Sequence, residues 1–256
     1  HQYIHNYLNT TDIQDQYFIN NILTGLNIKV KDINQEYYER LNYELEQVWE
    51  TSVAIEQPLS KYFITMQRMI DIIWTDGDSL LGVSRGSAAG FLINYCLGIT
   101  QIDPLTQALY LPPWRFIHKD RPGLPDIDID TEGSKRTKVF NKIQQYFNNI
   151  GGDIVNVCTF GTEKAKSALR TAGRGLEIDD DTISYMVSMI PNERGFDWTL
   201  SQCMYGDDEH AAIKKFQDEM GKNRQLWALA SRIEGLISSV GVHASGIVAL
   251  NEDITT

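Results

Sequence analysis

The stretch Leu124-Pro125-Asp126-Ile127-Asp128-Ile129-Asp130 alternates acid with isoleucine in strict period two. A helix would scatter both residue types around its surface, whereas an extended strand sends them to opposite faces. Asp126, Asp128 and Asp130 therefore share one face, and Ile127 and Ile129 share the other. Burial of the isoleucines fixes the register, because a slip by one residue would turn the charges into the core. Any fold that contains this segment needs an apolar layer behind it and open space in front.

The surrounding order of elements reads as mixed α/β. Residues 1–35 are polar, carry several asparagines and lack a strong period, so they are expected to form a peripheral lead-in. From 35 to 74 the pattern is helical. Tyr38, Leu41, Leu45 and Val48, then Phe63, Met66, Ile70 and Ile73, recur at three- and four-residue steps, and Pro58 marks the break between them. Thr75-Asp76-Gly77-Asp78 is a turn, followed by a short apolar strand at 80–83, a small-residue turn, and a helix over 91–97. A helix over 135–147 and a strand over 154–160 follow the acidic strand. Helices are then predicted at 182–190, 209–220 and 224–240, before a closing strand at 241–250.

Three groups of residues point to chemistry. Carboxylates two apart on a strand have Cα atoms about 7 Å apart, and their side chains can converge on ions roughly 3.5–4 Å apart, the spacing of a two-metal phosphoryl-transfer site. Oxygen-only ligation suits Mg²⁺. The competing explanation is a charged strand edge that keeps the sheet soluble. Ser84-Arg85-Gly86-Ser87-Ala88-Ala89-Gly90 offers close backbone approach at Gly86, a hydroxyl at Ser87, a positive charge at Arg85 and a helix start, which together suit a phosphate. It lacks the lysine and spacing of a P-loop, and it also fits a tightly packed, capped core helix. Lys166, Arg170 and Arg174 recur every four residues, with Lys164 nearby, and line one helix face. Such a face is either solvated or set against a phosphate backbone.

Composition narrows these choices. The chain has 23 Lys and Arg against 34 Asp and Glu, and 23 − 34 = −11 excludes a uniformly basic nucleic-acid binder. Contact with nucleic acid must run through local basic patches or metal ions. Cys96, Cys158 and Cys203 are odd in number and widely spaced, as expected of reduced thiols in a cytoplasmic protein. His1, His5, His118, His210 and His243 are scattered and show no metal-ligand spacing. No secretory leader opens the sequence, and its apolar runs are far short of the ~20 residues that span a bilayer.

Taken together, the blocks resemble the C-family replicative DNA polymerases, the alpha subunits of bacterial DNA polymerase III. The resemblance runs collinearly through Tyr37-Tyr38-Glu39-Arg40-Leu41 and Tyr43-Glu44-Leu45-Glu46, then Ser84–Gly90 with Leu97-Gly98-Ile99-Thr100 and Ile102-Asp103-Pro104-Leu105. It continues through Pro125–Asp130, Thr159-Phe160-Gly161-Thr162, Ala165-Lys166, Gly173-Arg174 and Val242-His243-Ala244-Ser245-Gly246. It implies a polymerase-beta-like nucleotidyltransferase palm, a mixed sheet with helices, carrying an inserted all-helical thumb. The implied boundaries are a lead-in at 1–35, the first part of the palm at 36–160, the thumb at 161–240 and a palm return strand at 241–256.

The implied activity is template-directed DNA synthesis, in which a primer 3′-hydroxyl attacks the α-phosphate of a deoxynucleoside triphosphate. Asp128 and Asp130 correspond to the catalytic, metal-binding pair for two Mg²⁺ ions, with Asp126 a nearby carboxylate that binds no metal. Arg85, Gly86 and Ser87 would hold the nucleotide, and Lys166, Arg170 and Arg174 would meet DNA phosphates. The implied partners are primer-template DNA, deoxynucleoside triphosphates and the remaining polymerase domains or replisome subunits, with no membrane. A third catalytic aspartate has no counterpart before Thr256, since Glu252 and Asp253 come too early. The chain alone is therefore expected to polymerise little or nothing. Ser84 stands where the family often has glycine, and Leu111-Pro112-Pro113-Trp114-Arg115-Phe116 matches its Glu-Arg-Phe block loosely. Asp179-Asp180-Asp181 and Asp207-Asp208-Glu209 make the thumb unusually acidic. The same motifs also fit a polymerase-derived binding or assembly module without catalysis, or another small Mg²⁺-dependent nucleotidyltransferase.

Overall fold

Side-chain caps set several helix starts in this computed structural model, which describes residues 1–254. A short helix α1 (Gln2–Leu8) is followed by α2 (Ile13–Lys29), whose cap Asp12 accepts the N–H groups of Gln14 and Asp15 at 2.7 and 3.2 Å. Asn34 caps α3 (Gln35–Ala54) through the Glu36 N–H at 3.0 Å, and Pro58 precedes α4 (Leu59–Thr75). A 3₁₀ turn at Gly86–Gly90 leads into the short α5 (Leu92–Cys96), and 3₁₀ turns at Pro113–Arg115 and Gly133–Lys135 precede α6 (Arg136–Asn149). These elements make up the first of two compact units, His1–Ile154 together with the segment from Leu250 on.

Residues 1–35 are not the peripheral lead-in that their polarity predicts. Phe18, Ile19, Ile22 and Leu26 on α2 are fully or almost fully buried. Their three- and four-residue spacing forms an apolar stripe too narrow to stand out among asparagines, yet wide enough to reach the core. Phe18 stacks on Phe63 of α4 with ring centroids 5.3 Å apart. Phe63 in turn lies 6.2 Å from Phe91, and Phe91 lies 4.9 Å from Phe116. Phe91 directly follows the glycine-serine turn, so this aromatic column ties that turn to α2 and α4.

The second unit is Val155–Ala249. It is framed by β1 (Asp153–Thr162) and holds α7 (Ala165–Gly175), α8 (Asp180–Val187), the small hairpin β2 (Asn192–Glu193) and β3 (Phe196–Asp197), then α9 (Leu200–Tyr205), α10 (Lys214–Lys222) and α11 (Arg224–Ile233). The long β4 (Ile237–Leu250) pairs with β1. Ala168, Leu169, Ala172, Ile183, Leu200, Cys203, Phe216 and Leu226 form this unit's own core. The predicted helix over 224–240 ends early, at Ile233. Gly235, at φ +88°, breaks it, and the strand begins at Ile237. The helix predicted from 209 starts only at Lys214, because Asp207 folds the preceding turn onto its own carboxylate.

The result is a helix-dominated α/β protein whose sheets are small. The predicted strands at 80–83 and 126–130 do not form as strands, and among the described residues these segments meet at one isolated antiparallel bridge, Leu81 with Thr131. Among the described residues no helix is long and apolar enough to cross a membrane.

Candidate functional site

The acidic segment is held as its alternation requires. Pro125 is buried, and its carbonyl accepts the Tyr62 hydroxyl of α4 at 2.7 Å. Ile127 and Ile129 pack against the first unit's core, while Asp126, Asp128 and Asp130 face solvent. Three hydrogen bonds lock the segment to the residues before the glycine-serine turn. The Gly82 N–H donates to the Asp130 carbonyl at 2.9 Å, the Leu80 N–H to Glu132 Oε2 at 3.0 Å, and the Glu132 N–H to Ser79 Oγ at 3.1 Å.

This pairing brings Arg85 onto the acidic face. Its Nη1 donates to Asp130 at 3.0 Å (Oδ1) and 3.3 Å (Oδ2), and its Nε lies 4.0 Å from Asp128 Oδ2. All three side chains remain more than half exposed, at 59 % for Arg85, 57 % for Asp128 and 55 % for Asp130, so water screens the contact heavily. Two glycines leave the room. A Cβ on Gly82 would sit 2.9 Å from the Asp130 Cβ, and Gly86 adopts φ +59° with its Cβ position 3.5 Å from Asp128 Oδ2. Gly82 was not singled out by sequence reasoning. Its signal was a glycine inside an apolar run, the usual mark of close backbone approach.

Among the described residues no group of three or more His, Cys, Asp or Glu side chains converges to hold a metal ion. What is present is a pair of exposed carboxylates on one face, already gathering a cation. Their oxygen-only chemistry and open front fit a hard divalent ion that keeps part of its water. Asp126 shares the face but not the arginine contacts found at Asp128 and Asp130.

The glycine-serine turn differs from expectation in one respect. The helix after it begins at Leu92, and its leading amides do not point to solvent. The Leu92 and Ile93 N–H groups donate to the Glu44 carboxylate at 2.8 and 2.9 Å. Glu44 is fully buried and pairs with Arg40 Nε at 2.7 Å, while Arg40 Nη2 donates to the carbonyls of Gly90 at 2.6 Å and Leu111 at 3.0 Å. Burial raises the Glu44 carboxyl, to about 7, against the opposing pull of Arg40 and the two amides. The amides that open this helix are thus already taken, and Arg85 and Gly86 remain exposed on the turn beside the half-buried Ser87. The sequence carried a sign of the buried pair, since Glu44 interrupts the apolar stripe Leu41, Leu45 and Val48.

In the second unit, α7 realises the four-residue spacing of Lys166, Arg170 and Arg174. Lys166 is half-buried and bound to Asp197 of β3 at 2.6 Å, and that contact, with Asn192, holds the Asp197 carboxyl below its usual range. Arg170 and Arg174 are exposed. Arg170 Nη1 donates to Ser184 Oγ at 3.2 Å, and Arg174 Nε to the Arg170 carbonyl at 3.4 Å. The acidic runs serve local structure. Asp179 caps α8 through the Thr182 N–H at 2.9 Å, and Asp180 and Asp181 occupy its first turn, where the helix dipole favours negative charge. Asp207 accepts the N–H groups of Glu209 and His210 at 3.0 and 2.8 Å.

Comparison with known proteins agrees with the motifs. The family described as "Bacterial DNA polymerase III alpha NTPase domain" matches residues 16–256. Over its whole length the chain is 44% identical to the protein named "Probable DNA polymerase YorL" of Bacillus subtilis strain 168 and to the DNA-directed DNA polymerase of Bacillus phage SPbeta. It is 32% identical, over 86% of its length, to DNA polymerase III subunit alpha of Staphylococcus aureus. The chain spans about a fifth of these relatives, 20% of the first two and 19% of the third.

Proposed function

The chain belongs to the bacterial DNA polymerase III alpha family, and on that footing we propose that it is the palm and thumb portion of a template-directed DNA polymerase. In this reading the palm is a polymerase-beta-like nucleotidyltransferase fold formed by 36–160 and 241–256, and the thumb is the helical segment 161–240. The activity is Mg²⁺-dependent nucleotidyl transfer in the cytoplasm, on primer-template DNA and deoxynucleoside triphosphates. The remaining polymerase domains complete the enzyme, including a third carboxylate.

The observation that carries this reading is the meeting of Arg85 with Asp128 and Asp130 across Gly82 and Gly86. It joins the two halves of a nucleotidyl-transfer site, carboxylates on one side and a phosphate-binding turn on the other. Asp128 and Asp130 would hold the metal, which when bound lowers the charge on the phosphates and stabilises the attacking and leaving oxygens. Arg85 holds the triphosphate from the opposite side, Gly86 lets the chain approach it, and Ser87 supplies a hydroxyl. Such fixed charges stabilise the transferred phosphoryl group without reorganising at the moment of reaction. On α7, Lys166, Arg170 and Arg174 meet DNA phosphates. Their contacts position the duplex without reading its sequence.

The test is nucleotide binding by this chain with and without Mg²⁺. Wild type is expected to bind a deoxynucleoside triphosphate weakly and only with the metal, and the Asp128→Asn, Asp130→Asn double variant to lose that dependence. Metal-stimulated binding that survives the double substitution would falsify the assignment. Extension of a primed template over many nucleotides by the isolated chain would equally overturn the expectation that the site is incomplete here.

A further inference from the structure

Resting on the proposed reading of the site, we infer that Arg85 is its internal counter-cation, held on Asp128 and Asp130 until a nucleotide draws it away, so that nucleotide and divalent ion bind with positive coupling. Arg85 Nη1 bridges both Asp130 oxygens at 3.0 and 3.3 Å, and Nε lies 4.0 Å from Asp128 Oδ2. The same oxygens are those a divalent ion needs. A guanidinium and a divalent cation cannot share them without strong like-charge repulsion, so one must leave for the other to enter. The nearby basic side chains Lys135 and Lys138 are turned to Asp78, at 2.7 and 3.9 Å, and do not take part in this exchange.

Arg85 is free to move. Its side chain is 59 % exposed, and it immediately precedes Gly86, whose positive φ leaves the chain there unhindered by a Cβ. The competing acceptor is the triphosphate itself, which offers denser negative charge and bidentate geometry for a guanidinium. When Arg85 moves to phosphate, the carboxylates lose their cation and their mutual repulsion returns, which raises their affinity for a metal. By linkage the metal then raises nucleotide affinity by the same factor. Without nucleotide, the arginine keeps the acidic face neutralised and metal affinity low.

The experiment is a Mn²⁺ titration of the full chain followed by electron paramagnetic resonance, with and without an α,β-imido deoxynucleoside triphosphate, after subtraction of the Mn²⁺ bound by free nucleotide. Arg85→Gln is expected to bind Mn²⁺ about two- to fivefold tighter than wild type without nucleotide, the range set by the strength of exposed ion pairs. Nucleotide should tighten Mn²⁺ binding in wild type by a larger factor than in Arg85→Gln, where only the phosphates' own ligation of the ion remains. Arg85→Lys, which keeps the charge but not the fork, should fall between. Equal or weaker Mn²⁺ binding by Arg85→Gln, with binding lost in the Asp128→Asn, Asp130→Asn double variant, overturns the counter-cation role alone. Binding that the double variant retains overturns the underlying site and the inference together.

Discussion

Arg40 and Glu44 lie one turn apart on α3 and form a buried ion pair at 2.7 Å, while their other hydrogen bonds run to main-chain groups of Gly90, Leu92, Ile93 and Leu111. The charge pair therefore acts as a fastener between α3 and the end of the glycine-serine turn. Removing one partner strands the other's charge in the core and leaves main-chain groups at the turn without their hydrogen bonds. Glu44→Leu is expected to cost about 3–5 kcal/mol, read as a lower urea midpoint, because Arg40 is left buried without a counter-charge. A loss below about 1 kcal/mol would mean that the pair is incidental to the fold.

The core extends into the amino-terminal helices. Phe18 is fully buried and stacks on Phe63, so Phe18→Ala leaves an aromatic-sized void at the junction of α2 and α4. A destabilisation of about 3–5 kcal/mol is expected from a cavity of that kind. Unchanged thermal unfolding would show that α2 is peripheral after all.

That helix also shows where the sequence stops being readable. The alternation at Asp126–Asp130 was legible because each side chain's environment follows directly from its parity, and the burial pattern repeats it residue by residue. The long helices α3 and α4 were legible because their apolar residues recur over many turns. α2 was not, since Phe18, Ile19, Ile22 and Leu26 are few among polar neighbours and need partners from distant segments to make sense. The same holds at the site. The acids, the glycine-serine turn and its Arg85 could be named, but the contact of Arg85 with Asp128 and Asp130 depends on the pairing of Gly82 with Asp130, residues far apart in the chain. Gly235 ended a helix that the apolar pattern alone would have continued.

His210 sets up a pH dependence in the second unit. Its Nδ1 meets Asp207 at 2.7 Å, its Nε2 meets Glu193 at 3.1 Å, and its ring lies edge-on to Trp198 with centroids 4.3 Å apart. The hydrogen bonds to Asp207 and then Glu193 raise the imidazole above its ordinary value, while Asp207, bonded to Gln202 and His210, is held down to about 2. A histidine raised in the folded state contributes stability that is full below about pH 6.5 and is lost as pH rises through the folded value. Melting temperature is therefore expected to fall from pH 6 to pH 8 in wild type, and to fall less in His210→Gln. Trp198 emission should follow the same titration. Identical pH profiles for the two proteins would remove His210 as the source.

The basic face of α7 predicts unequal contributions from residues that look equivalent in the sequence. Lys166 already has a partner in Asp197 at 2.6 Å, so a DNA phosphate must compete for it, whereas Arg170 and Arg174 present exposed guanidinium groups held, among the described residues, by a hydroxyl and a carbonyl. Each phosphate contact contributes about 0.9 to the slope of log affinity against log salt on duplex DNA. Arg170→Ala and Arg174→Ala are each expected to reduce that slope by about one contact, measured by fluorescence anisotropy of a labelled primer-template over a potassium chloride series. Lys166→Ala should change it less, because breaking the Asp197 contact offsets part of the counterion release. Binding that weakens equally for duplexes of different sequence is the companion expectation, since phosphate contacts carry no base information. If the Arg170→Ala, Arg174→Ala double variant keeps the wild-type slope, this helix face is merely solvated and the DNA grip lies elsewhere.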